Sequence, residues 1–93
     1  MRIIGHIEHP EMKITVFKMD NRVSVKFENA LYEQTYKLGT EERLSTLEGV
    51  RQWADAGLLA EVAACFRNMH RARMEAYGRI FPIDDTVVFE EII

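Results

Sequence analysis

Arg22-Val23-Ser24-Val25-Lys26-Phe27-Glu28 alternates polar and apolar residues without a break. Successive side chains of a strand point to opposite faces, so this stretch predicts a strand burying Val23, Val25 and Phe27. Asp20-Asn21 precedes it. Both residue types tolerate left-handed backbone, which suits a two-residue primed turn. Folding the chain about that turn sets Lys18 opposite Val23, Val16 opposite Val25 and Ile14 opposite Phe27. The reverse face then pairs Thr15 with Lys26 and Lys13 with Glu28, the second being an opposite-charge pair.

The same reasoning extends outward on both sides. A turn at Asn29-Ala30 places Tyr32 by Phe27, Gln34 by Val25 and Tyr36 by Val23, with Glu33 by Lys26 and Thr35 by Ser24 on the reverse face. A turn near His9-Pro10 places Ile7 by Met12 and Ile3 by Val16. All three foldings gather apolar side chains on one face, and a one-residue slip would turn each set out to water. Residues 1–38 therefore predict a four-stranded antiparallel meander.

Residues 41–80 read as two helices. Ser45-Thr46-Leu47-Glu48 has the spacing of a capping box, while Thr40-Glu41-Glu42 is a rival start. The first helix carries Leu47, Val50, Trp53 and Ala54 and is expected to end with Gly57 as its C-cap. The second is expected from about Leu58 to Arg79, stopped by Pro82. Its stripe is Leu59, Val62, Phe66, Met69, Tyr77 and Ile80 at helical spacing. Thr86-Val87-Val88-Phe89 opens a fifth strand over 86–91. The expected architecture is one α+β domain over residues 1–93: a four- to five-stranded antiparallel meander sheet with two helices packed on one face. A helix of that length is about 33 Å long and the strands only about 20–27 Å, so the helix should overhang the sheet.

Composition narrows the function classes. The chain has 93 residues, 47% of them hydrophobic and 29% charged, with a net charge of −3. Those values describe an ordinary globular domain, not a disordered segment or a dedicated basic nucleic-acid binder. Cys65 stands alone, which excludes an intrachain disulfide. Met1–His6 has no apolar signal-peptide core, and no apolar run approaches the ~20 residues of a membrane span. A cytoplasmic location without membrane attachment is expected.

No motif names a reaction. Gly-rich phosphate loops, serine elbows and zinc-ligand spacings are absent from the sequence. His6, Glu8 and His9 do not share one strand face, so no metal is expected there, and no cofactor is expected elsewhere. Cys65 is expected to pack as a small apolar side chain on the helix flank.

Three surfaces remain as candidates. The first is a protein interface, with self-association or a protein partner as its use. It rests on Arg73, Tyr77 and Ile80 at the overhanging end of the long helix, and on Val87, Val88 and Phe89. Arg73 is the oddity, because a cation inside an apolar stripe must be paired or must reach water. The second is a nucleic-acid surface. It combines Arg67, His70 and Arg71 on the helix with Lys13, Arg22 and Lys26 on the outer sheet face, where Glu8, Glu11, Glu28 and Glu33 would repel phosphates and where Ile4 and Phe17 instead offer a small apolar patch to a partner. The third is a polar pocket for a small ligand, made from Gln34, Tyr32, Tyr36 and Arg73, with Gln34 facing inward from its strand.

Overall fold

The computed structural model of the protein describes residues 1–81. Four strands, β1 (Arg2–Ile7), β2 (Lys13–Met19), β3 (Arg22–Glu28) and β4 (Glu33–Gly39), form an antiparallel sheet in sequence order. A 3-10 turn over Glu42–Leu44 leads into α1 (Leu47–Trp53) and α2 (Ala56–Ile80). The fold is a two-layer α+β arrangement. The expected fifth strand over 86–91 lies outside the described residues.

The β2–β3 hairpin has the register that the alternation predicts, from Lys13 opposite Glu28 to Met19 opposite Arg22. Its turn is two residues long, but only Asp20 has a positive φ, 55°. A positive φ at the first turn position alone is the sign pattern of a type II′ turn.

The other two pairings are shifted from the expectation. In β3–β4, Phe27 faces Gln34 and Val25 faces Tyr36, two residues from the predicted partners. The connecting loop is four residues, 29–32, because the Asn29 side chain accepts hydrogen bonds from the backbone N–H groups of Leu31 and Tyr32 (both 2.9 Å). An asparagine that satisfies two loop amides favours the longer turn. A shift of two keeps every side chain on its expected face, so Gln34 and Tyr36 still point inward.

In β1–β2, Ile7 pairs with Ile14, not Met12, and the register slips between Ile3 and Gly5. That bulge exchanges two isoleucines. Ile4, expected outside, packs against the core. Ile3, expected inside, faces water at 54% exposure opposite Phe17. A bulge inserts one residue into a strand and so reverses its alternation beyond that point. Gly5 sits beneath α1. A Cβ there would lie 2.6 Å from Leu47 Cδ2, and its absence lets the helix close onto β1.

The core lies between the inner sheet face and the helices. Ile14, Val16, Val23, Val25, Phe27, Val50, Val62 and Phe66 are buried and contiguous. Phe27 meets Tyr36 edge-on at 5.5 Å and Trp53 at 6.4 Å.

The helix boundaries differ from those expected. Thr46, not Ser45, caps α1, its side chain accepting from Gly49 N–H (3.1 Å). The Ser45 hydroxyl instead donates to the Glu42 carbonyl (2.7 Å), closing the 3-10 turn. Asp55 is the N-cap of α2 and accepts from Leu58 N–H (2.9 Å), so Gly57 falls inside the first turn of α2 and does not end α1. Thr46→Ala is expected to cost about 1 kcal/mol, read as a lowered urea midpoint. Ser45→Ala should cost less, because the Glu42 carbonyl also accepts the Ser45 N–H (3.1 Å). Equal losses would contradict this assignment of the cap.

Candidate functional site

α2 runs antiparallel to β4. Its path is marked by Gln34 meeting Val62 and by Tyr32, just before β4, meeting His70. At 25 residues α2 is about 37 Å long, whereas a seven-residue strand spans about 23 Å. Burial follows that mismatch. Along the sheet-facing stripe Val62, Phe66 and His70 are buried, and the positions after them, Arg73, Tyr77 and Ile80, are exposed. Ile80 is 70% and Phe81 57% exposed. The sheet-facing stripe thus continues past the sheet.

Arg73 stands where α2 leaves the sheet. It is not buried in the apolar stripe. Its guanidinium lies over the Tyr32 ring (5.9 Å) and the Tyr77 ring (5.4 Å), and it donates to the Tyr77 hydroxyl (3.4 Å). That hydrogen bond first, and the Tyr32 hydroxyl after it, raise the Arg73 pKa above its ordinary value. The stem follows the helix while the charged head reaches water and two ring faces, the arrangement that makes a cation tolerable at a stripe position. Tyr77 also stacks on Phe81 (6.0 Å, interplanar angle 27°). Arg73, Tyr77, Phe81 and Ile80 therefore form one exposed, aromatic-rich end.

Gln34 does not open a pocket with Arg73. Its Nε2 donates to the Val62 carbonyl (2.9 Å), and the Tyr36 hydroxyl donates to its Oε1 (3.5 Å). The amide fastens an edge strand to α2, which satisfies an inward polar group without a ligand. Tyr36 itself packs edge-on to Trp53 (5.5 Å).

His70 does not join Arg67 and Arg71. It is 8% exposed and its Nδ1 lies 3.0 Å from the Tyr32 hydroxyl. Its Nε2 is buried without a hydrogen-bond partner among the described residues. Position 70 is four residues after buried Phe66, so the spacing that defines the stripe could have placed it inside. Arg71 points outward and pairs with Glu75 (3.2 Å). The expected basic ridge on α2 is thus split between the core and an ion pair, with Arg67 exposed beside it.

Cys65, expected to pack on the helix flank, is exposed. His6, Glu8 and His9 line an open groove of about 610 Å3 with Glu11 and Lys13, and His9 Nδ1 accepts from Glu11 N–H (3.1 Å). Among the described residues no three His, Cys, Asp or Glu side chains stand close enough to share a metal, and no helix is long and apolar enough to cross a membrane. Val87, Val88 and Phe89 lie outside the described residues. Compared with known proteins, the chain matches no family model, no curated protein and no solved structure.

Proposed function

We propose that this domain is a non-enzymatic protein-interaction module that self-associates through the projecting end of α2. The observation that supports this reading is the continuation of the sheet-facing stripe beyond the sheet, ending in exposed Ile80 and Phe81. Apolar side chains aligned on one helix face gain about 25 cal/mol for each Å2 removed from water, and nothing in the first copy's sheet removes them. A second copy is the simplest cover. An apolar patch meets its own two-fold image without like-charge repulsion. Arg73, the cation within the stripe, already rests on two ring faces.

Light scattering over a dilution series tests this. The wild-type chain should show a concentration-dependent mass above that of one chain. Ile80→Glu should shift the distribution to monomer without changing the circular dichroism or the thermal midpoint, because position 80 touches little of its own fold. A wild-type chain that stays monomeric at every concentration would refute self-association. A dimer unaffected by Ile80→Glu would move the interface elsewhere.

A further inference from the structure

The outer face of the sheet, away from the helices, is charge-segregated. The registers lay its side chains out in rows across the strands. Lys13, Glu28 and Glu33 make the row at one end. The next is His6, Thr15, Lys26 and Thr35, and the one after is Ile3, Phe17, Ser24 and Lys37. Met19 and Arg22 close the far end. Every carboxylate in these rows sits in the first. Beyond it lie Lys26, Lys37 and Arg22 around a single aromatic ring. A shallow groove of about 540 Å3 runs there, lined by Phe17, Met19, Arg22, Ser24 and Lys37, and among the described residues none of its lining is acidic.

We infer that this groove binds single-stranded nucleic acid, with a base stacked on Phe17 and phosphates held by Arg22 and Lys37. Neither cation has an ion-pair partner among the described residues. Lys26 stands over the Phe17 ring (5.6 Å) and also pairs with Glu28 (3.6 Å). A base can therefore take the ring face while Lys26 keeps a partner. Base–aromatic stacking accepts any base, because every base has a π-face. The net charge of −3 does not oppose this, since Glu42, Glu48 and Glu61 belong to the helical layer, while Asp20 and Glu41, next to the groove in sequence, are not in its lining. At physiological salt, exposed charges more than about 8 Å apart are largely screened from one another.

An acidic peptide is the competing occupant, and the backbone argues against it. Peptides that bind sheets gain main-chain hydrogen bonds at an open edge. The groove reaches the edge strand β4 only at Lys37 and Gly39, and Phe17, Met19, Arg22 and Ser24 stand on β2 and β3, whose backbone groups are committed to ladders on both sides. A nucleic acid needs none of them.

The test is fluorescence anisotropy of a labelled twelve-nucleotide oligo-dT with the full chain. Binding is expected, with affinity falling about sevenfold from 50 to 200 mM salt, the slope of about −1.4 for two phosphate contacts on a single strand. Arg22→Ala with Lys37→Ala should flatten that slope. Phe17→Leu keeps the apolar bulk but removes the ring, and should weaken binding at least fivefold, the low end of about 1–3 kcal/mol for one stacked base. Circular dichroism checks that each variant folds. No binding at 50 mM salt overturns the inference, as does binding indifferent to Phe17→Leu, which would mark a cationic surface only. Binding of a labelled peptide of residues 84–93, lost with Arg22 and Lys37 while oligo-dT does not bind, would reassign the face to acidic peptides. The dimer predicted above uses the opposite layer, so either conclusion can fail alone.

Discussion

Phe27→Ala is expected to cost about 3–5 kcal/mol, which approaches the whole stability of a small domain at about 5–15 kcal/mol. Phe27 is fully buried at the centre of the inner sheet face, beneath Tyr36 and Trp53. Truncation removes the ring's transfer free energy and leaves a cavity that two large neighbours, one on β4 and one on α1, can fill only by leaving their own contacts. It also deletes two aromatic pairs, each worth about 0.5–1.5 kcal/mol beyond area burial. Urea denaturation followed by tryptophan fluorescence reads the effect at Trp53, the one tryptophan of the chain. The midpoint should fall by at least about 1 M, given slopes of about 1–3 kcal/mol per M. A loss below 1 kcal/mol would mean that the core is not centred on this residue.

The second large effect reverses an ordinary rule. Replacing a helical glycine by alanine normally gains about 1 kcal/mol. Gly78, in the projecting part of α2, should obey that rule, since a Cβ there meets nothing within 4 Å among the described residues. Gly49 should not. It lies in the first turn of α1, directly against the 3-10 turn, and a Cβ would overlap the Arg43 carbonyl oxygen. That obstacle is backbone and cannot swing aside. The N–H of Gly49 is also the group that Thr46 caps, with Thr46 Oγ1 lying 3.3 Å from the added carbon. Gly49→Ala is therefore expected to lose about 1–3 kcal/mol, the usual cost of forcing atoms into an already packed site. Thermal melts of the two alanine variants should move in opposite directions. If both gained stability, the close approach of residues 43 and 49 would be disproved.

Much of the fold was legible in the residues themselves. The β2–β3 register follows from strict alternation and a two-residue turn, both of which are local properties. The β3–β4 register depended on whether Asn29 would cap a four-residue loop, and short turns compete too closely for composition to decide. Inward Gln34 was readable from alternation. Its partner was not, because Val62 is 28 residues away and becomes a neighbour only when α2 crosses β4.

What the sequence determined by itself was therefore the order of the four strands and two helices, the inner face of β2, β3 and β4 and the stripe of α2, since periodicities of two and 3.6 depend on each segment alone. Tertiary structure decided three things. The bulge in β1 turned Ile3 outward beside Phe17. The end of the sheet left Tyr77, Ile80 and Phe81 in water. The packing of α2 on the loop at 29–32 took His70 away from Arg71 and gave it to Tyr32. Each outcome depends on where one element stops against another, and that boundary is set by the assembled layers and by no single segment of the chain.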